Sequence, residues 1–206
     1  MDVIKYKQTF IMKKLILAAV AVFTLGFVNA QDGGFTKGDI FASGSFGYSS
    51  QSTGDIKSSS FEFTPRIGFF VSDNIAVGAR LGYTTAKQEA PFTTEVKTNT
   101  FNAGAFGRYY FTPSNKFSVF GEFGVEYASS KRDPGIINNE DKVTGFGVNV
   151  GPGVSYFLSD HFALEAFWGA IGYASAKPDF DGAESTNAFT FGVDLSDINL
   201  GLVYKF

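Results

Sequence analysis

The last ten residues, Asp197-Ile198-Asn199-Leu200-Gly201-Leu202-Val203-Tyr204-Lys205-Phe206, constrain the fold more than any other stretch. Ile198, Leu200, Leu202, Tyr204 and Phe206 are apolar at a strict spacing of two. Asn199, Gly201 and Lys205 between them are small or polar, with Val203 the exception. That period puts all five apolar residues on one face of a β-strand. Chain ends usually fray, yet this strand runs to the final residue and so needs a partner. The expectation is that it pairs with the first strand, near residues 38–50, and closes a barrel. Just upstream, Phe189, Phe191, Val193 and Leu195 alternate on odd positions instead. A one-residue slip moves every side chain to the other face. The strand therefore carries a bulge near Ser196-Asp197, or residues 187–196 belong to an outer extension and loop.

Seven more segments alternate in the same way, at about 38–50, 59–72, 75–86, 98–111, 117–129, 143–158 and 162–174. With 25 Phe, 24 Gly and 18% charged residues, the composition suits strands and leaves little polar surface for helices. The connections alternate between polar loops (near 54, 92, 136 and 181) and short turns (near 73, 114 and 160). Transmembrane barrels have this asymmetry, with short periplasmic turns and longer extracellular loops. The face opposite the apolar one is mostly Gly, Ser, Asn and Thr. It would make a poor coat in water but packs well inside a narrow barrel. Aromatic residues gather near both ends of the strands, as interfacial girdles do. The expected fold is all-β, an eight-stranded antiparallel up-and-down transmembrane β-barrel over residues 38–206. Pro65 to Ala79 aligns without gaps to Pro152 to Ala166, each unit turning at a Ser-Asp pair. Proline lacks a ladder N–H, so an irregularity is expected at Pro65 and Pro152.

The first 30 residues read as a secretory signal peptide. Lys13-Lys14 precede the apolar run Leu15 to Phe27, and Val28-Asn29-Ala30 offers small residues before a cut ahead of Gln31. The true start is then Met12, and residues 31–37 form a loose leader.

Five charged residues fall on the inward face: Arg66, Arg80, Arg108, Glu122 and Glu165. Each sits about five to eight residues from a short turn, near mid-height at ~3.3 Å per residue. The interior of an eight-stranded barrel is filled by side chains, and isolated buried charges are too costly there. These five are expected to pair into a network that plugs the barrel. No Cys is present, and His161, the single His, lies in a short turn. Gly145-Phe146-Gly147 and Gly151-Pro152-Gly153 are strand glycines with no helix after them, so they are not phosphate loops. Nothing marks a catalytic, cofactor or metal site, and an enzyme is not expected. With net charge −3 and no polybasic run, nucleic acid is not expected as a partner.

The signal peptide, the eight strands, the Ser-Asp turns and the terminal Tyr204-Lys205-Phe206 resemble the OmpA/OmpX-like outer-membrane β-barrel domain family, often labelled porin-like. The likeness covers residues 38–206. It implies a place in the outer membrane of a Gram-negative cell envelope, in contact with outer-membrane lipid. It also implies that Tyr204 and Phe206 form an assembly signal for the barrel-assembly machinery. The role it implies is structural or surface-interacting, in envelope integrity or adhesion, with a possible extracellular partner at the loops. The alternative is a narrow channel or transporter for small or hydrophobic solutes.

Overall fold

The computed structural model describes residues 33–91, 93–135, 141–192 and 198–206. The expected signal peptide and the bulge at Ser196-Asp197 lie outside the described residues. Ten strands form one sheet: β1 (Ile40–Thr53), β2 (Ile56–Phe70), β3 (Ile75–Glu89), β4 (Val96–Tyr110), β5 (Phe117–Asp133), β6 (Asp141–Phe157), β7 (Phe162–Phe167), β8 (Ile171–Pro178), β9 (Thr186–Phe191) and β10 (Asn199–Lys205). All pairings are antiparallel. β7 and β8 both pair with β6 and are two halves of one stave. β9 pairs with β8, and β10 with β7, so these make the last stave. β10 also pairs with β1, Phe41 opposite Lys205 through Gly44 opposite Leu202. The ring is thus a closed eight-stave antiparallel barrel, with no helix among the described residues. The terminal strand closes it against β1, as its alternation requires.

The two Ser-Asp turns share one geometry, which accounts for the repeated sequence around them. The Ser72 hydroxyl accepts from the Ile75 N–H at 3.1 Å, and the Ser159 hydroxyl accepts from the Phe162 N–H at 3.2 Å. A serine side chain thus takes over a turn hydrogen bond in each. The two prolines also perturb the ladder. Opposite Gly151-Pro152, three residues (Trp168, Gly169 and Ala170) stand against two, a β-bulge that separates β7 from β8. The Trp168 N–H still reaches the Pro152 carbonyl at 3.2 Å. At Pro65 the β2–β3 pairing skips Thr64 and Pro65 but resumes in the same register.

Three readings from sequence need correction. Unbroken alternation over 162–174, with Phe162, Leu164, Ala166 and Trp168 outward, puts Tyr173 inward, but the bulge at 168–170 shifts parity, so it stands opposite outward Val148 and faces outside. The long polar loops are much shorter than expected. β1 and β2 continue as a ribbon to Thr53 and Ile56, and β5 to Asp133. Past the apolar band both faces are wet, so apolar alternation stops although the strand does not. The leader is not loose over Gly33 to Lys37, because Phe35 is buried inside the barrel mouth.

The faces are inverted relative to a water-soluble barrel. Phe63, Leu81, Phe101, Phe123 and Leu202 point outward and are about half exposed, while Arg108 and Glu122 inside are each 1% exposed. Inside, at the short-turn end, Phe35, Phe41, Phe70, Tyr110, Phe120 and Phe157 form a buried aromatic floor. Two glycines make room for it. A Cβ on Gly68 would collide with the Phe41 ring, and one on Gly153 with the Phe120 ring.

Candidate functional site

The charged layer lies directly above the aromatic floor. Strand periodicity aims β2, β3, β4, β5 and β7 residues inward at this level, and the register sets Arg66 opposite Arg80 and Arg108 opposite Glu122. Arg108 is the centre. Its Nη1 and Nη2 donate to the two carboxylate oxygens of Glu165 at 2.7 and 2.8 Å, and its Nε donates to Glu122 at 2.7 Å. Nη1 also donates to the Tyr110 hydroxyl at 3.1 Å. The guanidinium lies over three rings, 4.4 Å from the Phe120 centroid, 4.9 Å from Phe106 and 5.7 Å from Phe41. Bidentate pairing and ring stacking are the two geometries that suit arginine rather than lysine.

Glu122 collects the other two cations at longer range, Arg66 Nη1 at 3.3 Å and Arg80 Nη1 at 3.4 Å. Arg80 Nη2 also lies 3.3 Å from Glu126. The short contacts to Arg108 form a lock; the longer ones to Arg66 and Arg80 are looser. All five inward residues singled out in the sequence are brought together, with each arginine bonded to a glutamate. Three arginines face three glutamates once Glu126 is counted, so the layer is neutral. Tyr110 and the ring cage were missed, and Glu126, which shares the inward face of β5 with Glu122, was left out of the expected network. Phe106, Phe120 and Tyr110 occupy inward parity in β4 and β5, so the alternation did carry a signal for them.

Phe35 seals the floor from below. Its ring stacks on Phe70 at 4.6 Å and meets Phe157 edge-on at 4.9 Å and Tyr110 at 5.4 Å. Its N–H donates to the Pro113 carbonyl at 2.7 Å. Gly34 has φ of 131°, and a Cβ there would stand 2.6 Å from the Ser114 carbonyl carbon, so only glycine brings the chain into the mouth at this point. Lys205 Nζ donates to the Gly34 carbonyl at 2.7 Å, tying this segment to the terminal strand.

Tyr204 and Phe206 stand apart from the plug, on the outside of the same rim. Their rings meet edge-on at 5.0 Å, and Tyr204 also meets Phe162 at 5.0 Å. The Phe206 N–H donates to the Ile40 carbonyl at 3.0 Å, and His161 Nδ1 bonds the Lys205 carbonyl at 2.9 Å. The single histidine is therefore engaged in holding the last strand. Among the described residues no cluster of His, Cys, Asp and Glu could hold a metal ion.

No protein in a search of curated sequences matches this chain. Among solved structures it is similar to the outer membrane protein OprG from Pseudomonas aeruginosa, at 16% identity over 86% of this chain and 99% of that one, with a TM-score of 0.51. It is likewise similar to the E. coli Outer Membrane Protein W, at 13% identity over 83% of this chain and 99% of that one, with a TM-score of 0.51. At such identities the likeness shows the fold. The family model for the outer membrane protein β-barrel domain matches residues 15–206, nearly the whole chain. The inverted barrel and this match together make the chain a small outer-membrane β-barrel protein that belongs to the outer membrane protein β-barrel domain family.

Proposed function

We propose that this chain is a plugged outer-membrane barrel with a structural or surface-interacting role, in envelope integrity or adhesion, rather than an open pore. The observation that carries this reading is the Arg108 lock. A fully buried guanidinium is bonded to Glu122 and Glu165 at 2.7–2.8 Å and seated on an aromatic floor. An ion crossing the barrel would have to break those bonds and part the rings beneath them. The five charged residues then act as packing that fills the lumen, and no catalytic role is assigned. Planar-bilayer recording of the purified barrel tests this. The expected result is no steady conductance, and a large, steady current would overturn it.

Within this reading, Tyr204 and Phe206 on the terminal strand are the signal read by the barrel-assembly machinery. Residues 1–30 are the export signal, which sequencing of the mature N-terminus would check. The outer ribbons of β1 to β6 offer a surface for an extracellular partner.

One observation favours the alternative, a narrow passage for small or hydrophobic solutes. Pairing of β1 with β10 stops at Gly44 opposite Leu202 among the described residues. A fissure there is lined by Ser43, Ser45, Arg66, Phe167, Asn199 and Gly201. Solute uptake by a deletion strain separates the two readings: reduced uptake supports passage, and unchanged uptake with an envelope defect supports the structural role.

A further inference from the structure

Six of the eight staves repeat one order on their lipid-facing side. On the staves that run outward it is Tyr83-x3-Lys87-x-Glu89, Tyr127-x3-Lys131-x-Asp133 and Tyr173-x3-Lys177-x-Asp179. On those that run inward it is reversed: Asp55-x-Lys57-x3-Phe61 and Glu95-x-Lys97-x3-Phe101, with Lys142-x3-Phe146 on β6. Reversal in sequence is constancy in space. Going outward, each stave presents an aromatic residue, then a lysine four residues on; the acid comes two beyond the lysine wherever that position is described. Even spacings keep all of them on the outer face. The two staves that meet at the closure lack the pattern, since Tyr48 and Phe189 are followed at the lysine offset by Ser52 and Ser185.

The register puts these residues at one height. From Phe61 round to Tyr173 the aromatic slips against its neighbour by two, zero, two, zero and two residues, six over five steps. Strands about 4.8 Å apart and tilted by about 40° stay level when they slip about 1.2 residues per step. The aromatics therefore form a level girdle, and the lysines a level ring above it. Four residues along a strand so tilted rise about 10 Å, and a flexible lysine stem reaches partway back across that rise toward the headgroups.

Lys57 stands opposite Glu89 and Lys97 opposite Asp133, but elsewhere the ring brings like charges together. Lys87 stands directly opposite Lys97, and Lys131 opposite Lys142. Like charges so placed destabilise a sheet unless an anion joins them. Glu95 serves Lys97 at 3.1 Å and Lys87 at 3.6 Å, and Asp179 serves Lys142 at 3.1 Å. Lys57, Lys131 and Lys177 have no ion pair among the described residues. All six lysines are exposed. If the charges served only to wet the surface, lysine and acid would change places from stave to stave. They never do: the lysine is always the nearer to the bilayer.

We propose that these six lysines form a collar that binds the phosphates of anionic lipid headgroups in the outer leaflet. The lysine ring meets the phosphate plane just above the aromatic girdle, and the carboxylates beyond it repel phosphate from any higher level. The collar thereby fixes both the depth of the barrel and the lipid around it. This inference rests on the membrane location and is independent of the plug.

Native mass spectrometry tests it on the full chain, released from nanodiscs of equimolar phosphatidylglycerol and phosphatidylcholine. Wild-type protein should retain phosphatidylglycerol with about fivefold enrichment. The triple variant K57Q/K131Q/K177Q, which removes no ion pair among the described residues, should lose most of it. Replacing the same three by arginine should keep it, and Lys116→Gln, at a short turn, should leave it unchanged. Absence of enrichment in the wild type, or equal enrichment in the triple glutamine variant, would overturn the collar. Heat-modifiable migration checks that every variant is folded.

Discussion

Replacing Arg108 with methionine should cost about 4 kcal/mol of barrel stability, and the structure says where that cost arises. Glu122 keeps Arg66 and Arg80 at 3.3 and 3.4 Å, so it stays compensated. Glu165 loses both of its short bonds and is left 7% exposed. Breaking a buried ion pair from one side costs roughly 3–5 kcal/mol, mostly for the stranded charge. At about 1.4 kcal/mol per decade, the folding equilibrium then shifts by about a thousandfold. Methionine fills much of the volume, so lost packing adds little. The decisive variant is R108M/E165Q. Removing the stranded charge should recover about 2 kcal/mol or more, making the double variant more stable than Arg108→Met alone. Urea unfolding in lipid vesicles, followed through the single tryptophan, Trp168, next to the buried Phe167 that stacks on Phe120, reads both changes. If Arg108→Met falls within about 1 kcal/mol of wild type, or if Glu165→Gln adds its own cost in the double variant, the lock is not what holds the lumen.

Two further outcomes are expected. Phe35→Ala should destabilise by about 3–5 kcal/mol in the same urea assay, because it empties a fully buried site among four aromatic rings; a loss under about 1 kcal/mol would show that the segment is a loose leader after all. Deleting Phe206 should lower the outer-membrane fraction of the protein in cells while barely changing the refolded barrel in vitro; normal insertion without it would refute the assembly signal.

Much of this was legible because a strand repeats every two residues. That period alone aimed Arg66, Arg80, Arg108, Glu122 and Glu165 inward, and proline chemistry alone marked Pro65 and Pro152 as points of irregularity. What was not legible depends on contacts across the barrel. Phe35 lies in a short segment with two glycines and no periodicity, and its partners Phe70, Tyr110 and Phe157 are far along the chain. Tyr173 was placed on the wrong face because the bulge that turns it lies opposite Pro152, and only pairing reveals which strand absorbs the disturbance. The outer ribbons were taken for loops because water on both faces removes the apolar signal that marks a strand. The lysine ring stayed hidden for a different reason: its order reverses with strand direction, so it emerges only when the staves are laid side by side.

The bond from Lys205 to the Gly34 carbonyl joins residues 171 positions apart. It can form only once the terminal strand has met β1 and the ring exists. Contacts made after the slow step of folding leave the folding rate alone and act on the rate of coming apart. The segment around Phe35 is therefore a clasp in time as much as in space. Weakening it should leave refolding unhurried and unhindered, while the finished barrel, once unlatched at this rim, would open sooner.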